Sequence, residues 1–412
     1  MSQQAETLDI ERIRADFPIL EREFDGTQLV YLDNAATTQT PEPVVETITE
    51  YYRKYNANVH RGIHQLSQEA SIAYEEAHDR VAEFIGAAGR EEIVFTKNTT
   101  ESVNLVAYAW GLNELGPGDE VVLTEMEHHA SLVTWQQIAK RTGATCKYIP
   151  ITDEGRLDME AAEELITDDT EMVSVVHVSN TLGTINPVSE LAAIAHDHDS
   201  YVFVDAAQSV PNRPVDVAEI DADFLAFSGH KMAGPTGIGV LYGKEHILEG
   251  MEPYLYGGEM ILKVTFEDSK WNELPWKYEA GTPVICQGIA LAKACDYLDE
   301  IGMENIEQHE SELAEYAYDR LTAEGDVKVY GPPGDDRGGL VAFNLESVHA
   351  HDLSSILNDS AVAIRAGDHC TQPLHDVLGT AASARASFYI YNTKAEIDKL
   401  IEAVDDARQL FA

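Results

Sequence analysis

The 412-residue sequence predicts an α/β fold, with a large domain built on a mostly parallel sheet and a smaller α+β domain after it. Three observations carry that prediction. Short apolar runs alternate with amphipathic stretches through the first two-thirds of the chain, the rhythm of a sheet covered by helices on both faces. After about residue 290 this rhythm gives way to a long helical pattern. A hydrophobic content of 44% over this length is enough for a large core and a smaller one.

Seven strand candidates follow in order: residues 91–96 (EEIVFT), 119–125 (DEVVLTE), 144–151 (ATCKYIPI), 171–179 (EMVSVVHVS), 201–207 (YVFVDAA), 223–229 (DFLAFSG) and 237–243 (GIGVLYG). Between most of them lie helix-like segments such as ESVNLVAYAWG and VSELAAIAHDHD. Residues 291–321 read as one long helical stretch, followed by the strand-like runs VKVYGPP and GGLVAFNL and a last helix from Lys394. The domain boundaries expected are 31–295 for the large domain and 296–412 for the small one, with residues 1–30 packing against the latter. No repeat or low-complexity linker interrupts the pattern.

Charge narrows the range of partners. Against 72 acidic residues stand 28 basic ones, a formal net charge of −44. Such a surface repels phosphate backbones and anionic lipid, so neither nucleic acid nor membrane is an expected partner. Aromatic and aliphatic content argues against disorder, and a halophilic cytosol, where salt screens charge beyond about 3 Å at 1 M, would tolerate the self-repulsion. No apolar run of about 18 residues occurs, and the N-terminus MSQQAETLDIERIRADF lacks a signal-peptide core, so a soluble, cytoplasmic protein is expected. The four cysteines, Cys146, Cys286, Cys295 and Cys370, form no CxxC pair and predict neither a zinc site nor disulfides.

Candidate site residues fall at the ends of the predicted strands, where open α/β sheets bind ligands. Thr99, Thr100 and Glu101 stand between a strand and a helix, a place for an anion or an ordinary helix cap. His128 and His129 follow the second strand. Asn180 lies in VSNTLGT, Asp205 and Gln208 end an apolar strand, and Ser228, His230 and Lys231 follow in FSGHK. Neither a Walker sequence nor GxGxxG opening a helix after the first strand is present, so Lys231 is not a nucleotide-phosphate lysine. Together these residues suit one ligand bearing a phosphate, a basic ring nitrogen, a flat aromatic face and an aldehyde. Pyridoxal 5′-phosphate fits that description.

The motifs YLDNAATTQTP, NVHRGIHQLS, NTTESVNLVA, MEHHASLVTWQ, HVSNTLGT, VDAAQS, FSGHKMAGPTGIGVLYG, YGGEMI, EAGTP, RAGDHCTQPL and RASFYIYNT occur in this order along the chain. In combination they resemble the class V, fold-type I pyridoxal-phosphate enzymes, and specifically the cysteine desulfurases of the SufS type, nearly end to end. The resemblance implies a large domain with a mostly parallel seven-stranded sheet. Lys231 would hold the cofactor, with Asp205 on the pyridine nitrogen, Gln208 on the ring oxygen and His128 on the ring face. Thr99, Thr100, Ser228 and His230 would bind the phosphate, joined by Thr282 from a second subunit, which implies a homodimer. Asn180 and Arg385, with Arg365, His60 and Arg61, would hold the substrate.

By the same resemblance Cys370 is the nucleophile that takes sulfur from L-cysteine as a persulfide and releases L-alanine. Arg365, His369 or the cofactor would assist its ionisation. The short run from Arg365 to Cys370 is similar to the group with an ordered cysteine loop, which passes sulfur to a partner in iron–sulfur cluster assembly: a SufU- or SufE-like acceptor or a SufBCD scaffold, with His351 a candidate contact. The sequence departs from the pattern at Asp368, where a histidine is usual, and a carboxylate there would oppose the thiolate. Alternative activities are a selenocysteine lyase, a cysteine sulfinate desulfinase or a noncatalytic pyridoxal-phosphate-binding sulfur carrier.

Overall fold

The computed structural model describes residues 8–323 and 325–411, so the predicted character of residues 1–7 lies outside the described residues. The large sheet has seven strands: β1 Ile93–Thr96, β2 Glu120–Thr124, β3 Thr145–Ile149, β4 Thr170–Val176, β5 Tyr201–Asp205, β6 Phe224–Ser228 and β7 Gly239–Gly243. Their spatial order is β1-β7-β6-β5-β4-β2-β3. The pairs β3–β2, β2–β4, β4–β5 and β5–β6 are parallel, while β7 runs antiparallel between β6 and β1. The sheet is therefore mostly parallel, as expected. Strands β4 to β7 are buried almost throughout, which is why their sequences read as continuous apolar runs.

Strand ends are shorter than the apolar runs. Residues 90–92 form a 3-10 turn, so β1 starts at Ile93. Beyond Val176 the chain leaves the ladder and makes only an isolated bridge from Val178 to Ile185. The predicted single helix over 291–321 is two helices, Ile285–Ile301 and Met303–Thr322, because Gly302 sits between them at φ +91°. That backbone conformation suits glycine and ends the first helix.

The small domain is a four-stranded antiparallel sheet: β8 Val327–Tyr330, β9 Leu340–Leu345, β10 Arg365–Gly367 and β11 Ser383–Ser387, in the order β8-β9-β11-β10. Helices Met303–Thr322, Ala350–Asp359 and Lys394–Phe411 cover it around a core that includes Phe343, Leu353, Leu357 and Leu400. The N-terminal segment ties the two parts together. Val30 and Tyr31 pair in parallel with Val362 and Ala363, Arg14 donates to the Tyr391 carbonyl at 2.6 Å, and the Phe17 ring packs 4.7 Å from that of Tyr391. Among the described residues no helix is long and apolar enough to cross a membrane.

Candidate active site

A cavity of about 420 Å³ opens at the carboxyl ends of the parallel strands, between the large sheet and β10 of the small domain. That volume suits a small cofactor with its substrate. The large domain lines it with Thr99, Thr100, His128, Asn180, Asp205, Gln208, Ser228, His230 and Lys231; the small domain adds Arg365, Asp368, His369, Cys370 and Arg385. Two strips of sequence more than a hundred residues apart thus face one space.

One end of the cavity is a helix head. Asn98 caps the helix Thr99–Val106, its side chain accepting the Glu101 N–H at 3.0 Å. Ser228 Oγ accepts the Thr99 N–H at 2.9 Å and shares a hydrogen bond with Thr99 Oγ1 at 2.7 Å, so strand β6 is stitched to this helix start. Thr100 is exposed to the opening. His230 stands beside them, pushed down to about 4 by burial and then by the Lys231 charge, and is neutral near pH 7. Hydroxyls and the positive end of a helix dipole make a seat for an anionic group.

At the floor, Asp205 ends β5, is 3% exposed, and accepts the Ala207 N–H at 3.0 Å. Burial raises its carboxyl, a buried acid waiting for a cationic partner. The Lys231 amine is pushed down to about 8, chiefly by desolvation, with Asp205 opposing the fall. His128 is held at about 4, by burial first and the Lys231 charge second. Its Nδ1 accepts the Ala130 N–H at 3.0 Å, which assigns the ring proton to Nε2. Gln208 fixes the wall by donating to the Ala35 carbonyl at 2.7 Å.

The small-domain side is held by carboxylates and carbonyls. Arg385 is 2% exposed and donates through Nη1 to the Asn180 carbonyl at 2.7 Å. Burial pushes its guanidinium down to about 10, with Asp33 partly compensating. Asp33 grips Arg365 through Nε at 3.0 Å and Nη2 at 2.8 Å and stands 3.5 Å from Arg385 Nη2. Asn180 Nδ2 donates to the His369 carbonyl at 2.7 Å. Arg385 Nε and Asn180 Oδ1 are buried without partners, leaving one donor and one acceptor at the cavity for a bound molecule.

Cys370 is the exposed one among the free cysteines; Cys286 and Cys295 are buried and Cys146 is half-buried. His369 and Cys370 both adopt left-handed backbone, at φ +49° and +59°. His369 cannot assist the thiol as a cation. Its ring turns away to Ser383 Oγ at 3.0 Å, and burial, with Arg385 next to it, lowers its basicity far below neutral pH. Asp368 is occupied locally, accepting the Cys370 N–H at 3.0 Å through Oδ1.

Some expected site residues lie elsewhere in this chain. His60 and Arg61 do not line the cavity; the loop before helix Gln65–Phe84 packs against Trp276, and both residues line a separate cleft with Glu259 and Leu262. Thr282 is exposed on the chain's surface and does not reach its own cavity. Conversely, Asp33, which was not singled out, bonds to Arg365, and His129, noted only beside His128, bonds to the cysteine loop. YLDNAATT marked the neighbourhood of Asp33, but its partners lie over three hundred residues away.

A half-buried lysine near a buried aspartate, a histidine ring held neutral, and an anion seat at a helix head fit pyridoxal 5′-phosphate without a misplaced group. Fold and site together define a pyridoxal-phosphate-dependent enzyme of fold type I. The chain belongs to the aminotransferase class-V family, whose profile matches residues 30–400. It is 72% identical to a cysteine desulfurase of Haloferax volcanii, over 100% of this chain and 99% of the relative. It is 52% identical to a probable cysteine desulfurase of Halalkalibacterium halodurans, over 98% and 99%. Among solved structures, the apo cysteine desulfurase of Thermococcus onnurineus superposes with a TM-score of 0.93 at 44% identity, covering 98% of this chain and 99% of that one. The cysteine desulfurase CsdA of Escherichia coli gives 0.91 at 38% identity, covering 99% and 100%.

Proposed function

We propose that this chain is a cysteine desulfurase, taking the sulfur of L-cysteine onto Cys370 as a persulfide and releasing L-alanine for sulfur delivery to iron–sulfur cluster assembly. The observation that carries the reading is that Lys231 and Cys370, from two domains, line one cavity. Bound pyridoxal 5′-phosphate supplies the electron sink that makes the substrate's Cα proton acidic. Lys231, with its amine at about 8, is far more often neutral near pH 7 than an ordinary lysine and takes that proton at Nζ. Arg385, whose buried Nε lacks a partner, holds the substrate carboxylate, the Asn180 Oδ1 acceptor takes an N–H of the bound molecule, and Arg365 stands at the rim.

Cys370 Sγ, as thiolate, attacks the substrate sulfur. A sulfur–sulfur bond forms as the Cβ–S bond breaks, its electron pair stays with the carbon skeleton, and protonation of that skeleton yields alanine. Asp205 would pair with the ring nitrogen of bound pyridoxal 5′-phosphate, His128 would stack on the ring, Gln208 would meet the ring oxygen, and Thr99, Thr100, Ser228 and His230 would take the phosphate.

A second copy of the chain completes the phosphate seat with Thr282. Support comes from the surface around it. Gly281 donates to the Gly258 carbonyl at 2.9 Å, and the adjoining hairpin exposes Leu262, Val264 and Phe266, an apolar flank suited to burial against another copy. His351, exposed on the helix Ala350–Asp359, is the contact for the sulfur acceptor. A Cβ placed on Gly367 would stand 3.9 Å from its Cε1, so the histidine borders the strand that leads to Cys370.

The test is incubation with pyridoxal 5′-phosphate and L-cysteine in concentrated KCl. Alanine should form, and Cys370 should gain the mass of one sulfur atom. Cys370→Ser should lose the adduct and at least about a hundredfold in alanine production. Alanine formed at the wild-type rate without Cys370 would overturn the reading.

A further inference from the structure

Four consecutive residues of the cysteine loop are each bonded to the large domain. The His369 carbonyl accepts from Asn180 at 2.7 Å, the Cys370 carbonyl accepts from the His129 backbone N–H at 2.8 Å, Thr371 Oγ1 meets Thr181 Oγ1 at 2.9 Å, and the Gln372 N–H donates to His129 Nε2 at 3.0 Å. Two of these bonds come from His129, one to the Cys370 carbonyl and one to the Gln372 N–H two residues on. His128 and His129 are adjacent yet divide the space: His128 faces the cavity and His129 faces the loop.

The Gln372 bond has a particular purpose. Gln372 opens the short helix Gln372–Val377, whose N-cap, Thr371, makes no side-chain capping bond. The Thr371 hydroxyl is committed to the Asp368 carbonyl at 2.9 Å, and Pro373 carries no N–H. The first amide of that helix would therefore lack a protein partner, and the imidazole of another domain supplies it. Nε2 can accept only while it is unprotonated, so the ring is neutral with its proton on Nδ1. Left-handed backbone at two successive non-glycine residues persists only where surrounding bonds over-determine it.

We propose that His129 is a positioning residue for the nucleophile, an acceptor supplied by the large domain that holds the loop and thereby the direction of Cys370 Sγ. The proposal rests on the reading of Cys370 as the sulfur-accepting nucleophile. Asn180 and Thr181 hold the same loop, but the cap on Gln372 depends on the His129 ring alone.

Three variants of the holoenzyme separate this role from general support. His129→Phe keeps a ring but no acceptor, His129→Asn is too short to reach Gln372, and His129→Gln places an oxygen near the position of Nε2. In Phe and Asn variants, amide hydrogen exchange at Gln372 should rise about tenfold or more, and kcat for alanine should fall about 10- to 100-fold with KM for L-cysteine and the cofactor absorbance unchanged. His129→Gln should restore both to within about threefold of wild type. If His129→Phe does not fold, the Asn and Gln pair decides. Wild-type kcat in His129→Asn, a loss in His129→Gln equal to that of the others, or a loss expressed in KM or cofactor retention would each overturn the proposal. Absence of alanine from the wild-type enzyme would instead overturn the desulfurase reading, while the exchange measurement would still report on the Gln372–His129 bond.

Discussion

Glu127 precedes His128 and is 2% exposed. Its Oε1 accepts the Val176 N–H and the Thr124 hydroxyl, both at 2.9 Å, while Oε2 is buried without a partner. Burial, with Asp205 nearby adding to it, pushes the carboxyl up from 4.5 to about 8. The unfolded chain loses this proton near 4.5 and the folded one keeps it to about 8, so the stability it contributes is full below pH 4.5 and is lost as pH rises through 8. Glu127→Gln keeps the shape without the ionisation. Its apoprotein should match wild type in thermal unfolding at pH 4.5 and melt about 2–4 °C higher at pH 9. Equal melting at both pH values would mean that the acid is not the source.

At the scale of elements, the anion seat depends on how closely β7 approaches the start of helix Thr99–Val106. Gly239 pairs with Thr96 on one side and Ser228 on the other, and a Cβ there would lie 2.5 Å from Asn98 Cα. The obstructing atom is backbone, so the helix start itself would have to move. Gly239→Ala should weaken pyridoxal 5′-phosphate binding about tenfold or more and cost about 1–3 kcal/mol of stability, read by absorbance titration and thermal unfolding. The strands were legible because buried parallel strands are written as apolar runs. The break at Gly302 was missed because the helical pattern continues across it on both sides; only its backbone angle of +91° shows the turn. Lys231, Asp205 and Cys370 could be picked out because each stands in a distinctive local motif. Asp33 could not, and His129 could be noticed beside His128 but not given its role, because their partners are 332 and 243 residues distant and no local pattern records such a meeting.

At the scale of the molecule, the net charge of −44 loads the surface with like charge in dilute buffer. Ion pairs such as Arg408 to Asp326 at 2.8 Å and Arg156 to Asp336 at 2.8 Å engage some of the 28 basic side chains, but acids outnumber bases too far for pairing to cancel the field. Raising KCl from about 0.1 M to about 3 M shortens the screening length several-fold and should lift the unfolding midpoint by about ten degrees or more. A midpoint independent of salt would show that self-repulsion is not what limits stability. The bonded cysteine loop has a consequence of another kind. A sulfur atom carried on a mobile arm could search for its recipient, whereas one on the exposed cysteine of a bonded loop would have to be collected where it sits. On the desulfurase reading, delivery then depends on how a recipient docks beside the loop rather than on motion of the donor.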